Sequence, residues 1–187
     1  RHPRGARGTA ELLGVAVSLV APALTSSTAH ATPGSTNEWG TPQALFDLLN
    51  DRFRFDLDAA ASEANAKHEQ YFTKDDDALS RCWNYNPLLF RSVWLNPPYG
   101  RDIGKWLAKA YEESREGAVV VVLTFARTDT RWWHDYAMKA SEVMLIKGRV
   151  KFERDGVPQQ AAPAPSCVLV FTPWCDGPPV LRPLELP

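Results

Sequence analysis

Ser92-Val93-Trp94-Leu95-Asn96-Pro97-Pro98-Tyr99-Gly100 begins apolar and ends in a stiff turn. Its first four residues read as a buried strand. Gly100 breaks that strand, and Asp102 to Ser114 carries a helical pattern, with Ile103, Trp106, Leu107, Ala110 and Tyr111 recurring at helical spacing. Asn96-Pro97-Pro98-Tyr99 therefore lies where a strand ends and a helix is about to begin. In an open α/β sheet that place is the ligand crevice. Two adjacent prolines fix φ and remove two N–H donors, which leaves stiff backbone carbonyls as acceptors. Asn96 adds a side-chain carbonyl, and Tyr99 adds a flat ring. Together they form a cup for a planar amino group, with two acceptors for its N–H bonds and a surface to stack on. The tetrapeptide arises by chance in roughly one chain in two thousand of this length, so an ordinary Pro-rich turn explains it poorly.

On the carboxyl side, Glu116-Gly117 ends the helix and Ala118 to Leu123 is a continuous Val-rich run, the mark of a parallel strand covered on both faces. The loop Thr124 to Thr130 follows, and Thr130 is expected to cap a helix over Arg131 to Ala140. Glu142 to Ile146 and Ser166 to Phe171 read as strands joined by a long loop, which suggests a hairpin.

On the amino side, Thr41 and Pro42 suit the cap and first position of a helix that ends near Asn50-Asp51. Phe53-Arg54-Phe55-Asp56-Leu57-Asp58 alternates as a strand does and runs into Ala59-Ala60-Ala61-Ser62. A strand ending in Asp before residues with almost no side chain lets backbone approach a ligand closely. An Ala-rich helix start would look the same. In Asp75-Asp76-Asp77 the first two read as a solvated turn, while Asp77 abuts Ala78-Leu79 and is expected to point inward.

The chain has 187 residues, 44% hydrophobic and 23% charged, which suits one globular domain with a real core and excludes a disordered chain. A formal net charge of −1 sets up no global positive field, so contact with nucleic acid would rest on a local patch. Cys82, Cys167 and Cys175 are odd in number and lack metal-like spacing, so they read as reduced thiols of a cytosolic protein, and no metal is called for. Arg1, Arg4 and Arg7, the apolar run Leu12 to Leu24 and the end Ala29-His30-Ala31 match the layout of a secretory signal peptide. That run is too short to span a membrane. The chain starts without Met and its remainder is enzyme-like, so residues 1–37 are expected to be a signal-like or non-native extension, poorly ordered. Residues 38–175 form the main domain and 176–187 a Pro-rich tail extended over the surface.

Trp39-Gly40-Thr41-Pro42, Asp56-Leu57-Asp58-Ala59-Ala60, Asn96-Pro97-Pro98-Tyr99 and Gly148-Arg149 with a closing strand, in that order, resemble the phage-type DNA adenine-N6 methyltransferases of the Dam kind. The resemblance covers roughly residues 37–173. It implies an α/β, Rossmann-like S-adenosylmethionine-dependent methyltransferase fold: a mostly parallel, seven-stranded sheet whose last strand is antiparallel. It implies S-adenosyl-L-methionine as cofactor, double-stranded DNA as partner, no membrane, a monomer, and the cytoplasm of a bacterial or phage-infected cell. By the resemblance, Asp58, Ala59 and Ala60 look like the cofactor loop. Trp39, Thr41 and Pro42 look like the piece closing over the methionine part, and Asp77 like the carboxylate near the adenine moiety. Asn96, Pro97, Pro98 and Tyr99 look like the pocket for the target amino group. Arg101, Arg127 and Arg149, with Arg131, Lys147 and Lys151, lie near loop edges where they could hold phosphates. His134, beside Trp132 and Trp133, reads as structural or surface, not catalytic. The interval from Asp58 to Asn96 is short, with no glycine-rich loop after the first strand, a departure from many methyltransferases that leaves the ribose-binding acid unassigned. A separate target-recognition domain is not expected within the stretch that carries the resemblance, so the DNA sequence read stays open. The same cup would also serve methylation of a protein glutamine or an RNA adenine, or a cofactor-binding module without turnover.

Overall fold

The computed structural model describes residues 39–84, 91–154 and 156–187, all within the unit Thr36–Pro187. The signal-like segment lies outside the described residues. In chain order the elements are α1 (Gln43–Phe53), β1 (Leu57–Asp58), β2 (Ser92–Leu95), α2 (Ile103–Arg115), β3 (Val119–Phe125), α3 (Arg131–Asp135), β4 (Glu142–Lys147), β5 (Glu153–Arg154), β6 (Val157–Pro158), β7 (Ser166–Phe171) and β8 (Val180–Glu185). Six strands form one sheet in the order β1-β2-β3-β7-β4-β8, and β5 and β6 form a separate two-stranded hairpin.

β1, β2 and β3 pair in parallel, as do β4 and β8, while β7 runs antiparallel to both β3 and β4. Five strands thus share one direction and one carboxyl edge. All four residues of β2 and all six of β7 are buried, as continuous apolar strands inside a covered sheet should be. Alternation splits the side chains between two cores. Val93, Leu95, Val120, Val122, Leu169 and Phe171 pack against Leu107 and Ala110 of α2 and Trp133 of α3. Trp94, Val121, Leu123, Val168 and Val170 pack against Leu45, Phe46 and Leu49 of α1. Burying a side chain of that size contributes about 1.5–3 kcal/mol, so Leu49→Ala would loosen the α1 layer.

The structure corrects several expectations. Among the described residues the main sheet has six strands rather than seven. The reversed strand Ser166–Phe171 is not last in the chain; β8 is, and it runs parallel to β4. The Pro-rich end, expected to lie extended over the surface, pairs with β4 as an edge strand, and an edge is where a sheet tolerates a residue such as Pro183 that lacks an N–H. The alternation from Phe53 to Asp58 is mostly not a strand. The helix runs to Phe53, Arg54 closes it at φ 54°, and only Leu57 and Asp58 join the sheet. Phe53 instead stacks on Phe55, 6.1 Å between ring centres. Pro42, not Thr41, occupies the cap position of α1, with no side-chain cap. Thr130 does occupy the cap position of α3, but without a side-chain cap: its hydroxyl donates to the Arg127 carbonyl at 2.7 Å, and a 3-10 turn over Ala137–Lys139 replaces the second half of the expected helix.

Candidate active site

The carboxyl edge brings together the ends of β1, β2, β3 and β4, and with them Asp58, Asn96, Phe125 and the Gly148–Phe152 loop. Gly148 turns the chain out of β4 at φ 89°, a region open to glycine.

At the end of β1, Asp58 is 2% exposed. Its two carboxylate oxygens accept the backbone N–H groups of Ala60 (3.3 Å) and Lys67 (3.0 Å). Burial pushes its pKa up from the ordinary carboxylate value to about 6, against the opposing pull of the Lys67 and Ala60 N–H groups. The backbone of Ala59 continues the ladder to the Trp94 carbonyl at 2.9 Å, and Ala61 bonds Phe72 at 2.9 Å. The carboxylate is thus spent on shaping its own turn, and the turn presents backbone and methyl groups.

At the end of β2 the side chain of Asn96 is held at both ends. Its Nδ2 donates to the Trp39 carbonyl at 2.6 Å, and its Oδ1 accepts from the Tyr99 hydroxyl at 3.1 Å. These bonds settle which way the amide faces and leave Oδ1 a second lone pair. Pro97 is buried and Pro98 exposed. Tyr99 stacks on Phe125, ring centres 4.4 Å apart and planes 23° apart, and meets Phe152 edge-on at 5.5 Å. Its hydroxyl also lies 3.4 Å from the Leu123 carbonyl. Burial raises the Tyr99 pKa well above its usual value, so the phenol keeps its proton.

The Trp39–Pro42 segment straps across this edge. Gly40 and Glu153 exchange two backbone hydrogen bonds of 2.8 Å. A Cβ on Gly40 would sit 3.3 Å from the Glu153 carbonyl oxygen, so any larger residue there would push the paired backbone back by a few tenths of an ångström. Trp39 packs toward Phe152 at 6.4 Å, and the Arg154 guanidinium lies 5.4 Å from the Trp39 ring centre. Thr41 is 2% exposed, and its hydroxyl has no partner among the described residues.

The expected residues therefore divide. Trp39, Thr41 and Pro42, Asp58 to Ala60 and Asn96 to Tyr99 converge on one edge. Arg101, Arg127 and Arg149 are exposed on the segments that follow β2, β3 and β4 at that edge. Asp77, expected to point inward, is exposed at φ 49°, and its carbonyl accepts from Ser80. The neighbouring Asp76 is the structural acid: Thr73 donates to it from N–H (2.8 Å) and hydroxyl (2.7 Å), which holds its pKa below the usual range. His134 is exposed on α3. Reading by motif missed Phe125, Phe152, Lys67 and Glu153. Phe125 was findable as the residue closing a Val-rich strand; Lys67 and Phe152 lie in loops and Glu153 opens the two-residue strand β5, and only the closing of the strap gives them a place.

The family described as DNA N-6-adenine-methyltransferase (Dam) matches residues 28–181 of the chain. A DNA N-6-adenine-methyltransferase of Escherichia phage T1 is 34% identical over 128 residues, 67% of this chain and 51% of that protein. One of Haemophilus phage HP1 (strain HP1c1) is 28% identical over 117 residues, 61% of this chain and 65% of that protein. The matched part of this chain spans between about half and two thirds of the length of these curated relatives.

Proposed function

The chain belongs to the DNA N-6-adenine-methyltransferase (Dam) family, and from that premise we propose that it methylates the N6 amino group of adenine in double-stranded DNA. It does so as a monomer with S-adenosylmethionine as donor, on a Rossmann-like scaffold. The observation that carries the reading is the Asn96 amide, clamped by Trp39 and Tyr99 so that its oxygen stays an acceptor at the strand end.

The edge fits the donor. The Ala59-Ala60-Ala61 turn offers close backbone approach, and the buried Thr41 hydroxyl is an unspent polar group on the strap. Trp39, Thr41 and Pro42 with Asp58, Ala59 and Ala60 would hold it; the exposed Asp77 is the remaining candidate for its adenine end. S-adenosylmethionine, when bound, supplies an electrophilic methyl group on a positively charged sulfur.

The lone pair of the adenine amino nitrogen is delocalised into the ring, which makes it a poor nucleophile. Asn96 Oδ1 and the Pro97 carbonyl would accept its two N–H bonds and favour a pyramidal nitrogen with its lone pair exposed. Acceptors fixed in advance lose little to reorganisation when charge develops, and holding the reacting groups in line supplies much of the remaining acceleration. Neither Pro97 nor Pro98 has an N–H to compete for these acceptors. A base in a duplex reaches this cup only by leaving the stack; Phe125 backs one face of Tyr99, and the rest of that aromatic edge would receive the base. Arg101, Arg127 and Arg149 would hold phosphates and give orientation rather than sequence.

The test is mass spectrometry of nucleosides from DNA incubated with the protein and methyl-labelled S-adenosylmethionine, with RNA and protein incubated in parallel. Label in N6-methyladenine of DNA is expected. Label confined to RNA adenine or to a protein glutamine would redirect the reading to those amino groups, and cofactor binding without transfer would make the chain a binding module.

A further inference from the structure

We propose that Lys67 is a positioning residue that couples the cofactor turn to the setting of Asn96. The inference rests on the methyltransferase reading above and adds to it a residue outside the cofactor turn and the Asn-Pro-Pro-Tyr cup.

Lys67 makes its two kinds of contact with different parts of the chain. Its backbone N–H donates to Asp58 Oδ2 at 3.0 Å, so its main chain closes the turn after β1. Its side chain is only 11% exposed and leaves that turn. Nζ donates to Gln43 Oε1 at 2.9 Å and faces Glu153 Oε2 at 3.9 Å. Gln43 opens α1 immediately after the strap, and Glu153 is the residue whose backbone pairs with Gly40. The strap in turn supplies the Trp39 carbonyl that holds Asn96 Nδ2. One residue therefore ties the Asp58 turn to both ends of the strap, and the strap ties to the amide that faces the target amine. A displacement of the turn on binding of the donor moves the Lys67 backbone, and the ammonium carries the movement to Gln43 and Glu153.

The two halves of Lys67 can be separated by mutation, because its backbone bond to Asp58 survives a side-chain replacement. Lys67→Met keeps the length and apolar stem but removes the ammonium. S-adenosylhomocysteine affinity of the free protein should then change by less than about threefold, since the turn is intact. The strengthening of S-adenosylhomocysteine binding by saturating unmethylated plasmid DNA should shrink toward none, and by linkage so should the reciprocal effect on DNA affinity. The single-turnover rate should fall about tenfold, with KM for the donor little altered. Lys67→Arg, which keeps a cation in reach of Glu153, should restore most of the rate. Glu153→Gln should reproduce part of the Lys67→Met defect, and the double variant should be no worse than Lys67→Met alone, because the two side chains act as a unit.

Additive losses in the double variant, or a Lys67→Met protein with undiminished coupling and rate, would overturn the proposal while leaving the methyltransferase reading in place. So would a loss that follows only a lowered melting temperature and that Lys67→Arg does not restore. A wild-type chain that neither binds S-adenosylhomocysteine nor methylates DNA would overturn the functional reading and this inference with it.

Discussion

The turns at the ends of β1 and β2 lie on neighbouring strands and are built in opposite ways. The Asp58 turn is closed locally. Its carboxylate is buried and takes N–H groups from two and nine residues further along, so the acid serves the turn itself. The Asn96 turn is stiffened by prolines but set from a distance: its amide is held by Trp39, 57 positions away. Its aromatic wall comes from the end of β3 and the loop after β4. A polar residue at a strand end can thus be tied to its own turn or held by distant segments, and hydrogen-bond partners distinguish the two where residue type does not.

If that contrast holds, Asn96→Ala should reduce methylation at least about a hundredfold, the scale of losing one fixed polar group at a reacting centre. S-adenosylhomocysteine affinity, measured by calorimetry, and melting temperature should stay close to wild type. Cooperative unfolding lost in this variant would erase the distinction between the two turns.

Asp58→Ala should do the reverse and act first on the fold. It leaves the Ala60 and Lys67 N–H groups without their acceptor and should cost about 2–3 kcal/mol, read by denaturant unfolding, together with weaker S-adenosylhomocysteine binding. Its pH signature has a definite sign. Because the folded-state pKa is raised from 3.8 to about 6, the folded protein holds this proton more tightly than the unfolded chain does. The contribution is fully present below the unfolded value and is lost as pH rises through about 6, by up to roughly 3 kcal/mol. Subtracting the stability profile of Asp58→Asn from that of wild type should isolate this fall; a flat difference would show that burial does not govern the group.

Tyr99 sharpens the comparison because it serves both purposes. Loss of a stacking ring worth ~1–3 kcal/mol in Tyr99→Ala should lower turnover by roughly one to two powers of ten. The melting temperature should fall too, since the ring packs on Phe125 and Phe152. Tyr99→Phe keeps the face and loses the hydroxyl that holds Asn96 Oδ1, a bond worth about 1 kcal/mol, so a loss of only a few-fold is expected. Equal losses in the two variants, with both folded, would assign the role to the hydroxyl rather than to the ring.

The smallest effects should come from the rim. Arg127→Ala and Arg149→Ala should each lower the slope of log affinity for DNA against log salt by about one. Melting temperatures should hold, because both side chains are exposed. An unchanged slope would place the phosphate contacts elsewhere on the edge.

The layers were legible because burial on both faces demands unbroken apolar runs: Ser92–Leu95 and Ser166–Phe171 have the bounds that their composition indicates. The Asn-Pro-Pro-Tyr turn was legible because its chemistry is contiguous. Asp77 was misjudged because adjacency to Ala78 and Leu79 says nothing about φ, and a left-handed residue turns its side chain out of the pattern around it.

The sequence by itself determined that this chain forms a covered α/β sheet with a stiff Asn-Pro-Pro-Tyr turn at a strand end, because periodicity and proline stiffness are properties of neighbouring residues. Only the tertiary structure decided that Asp58 is spent on its own turn, that the Pro-rich end becomes an edge strand, that Trp39 holds Asn96, that Phe125 and Phe152 wall Tyr99, and that Lys67 meets Glu153 beside the strap. Those outcomes depend on which distant backbone groups meet at the carboxyl edge, and a hydrogen bond between residues 57 positions apart leaves no periodic trace in the chain.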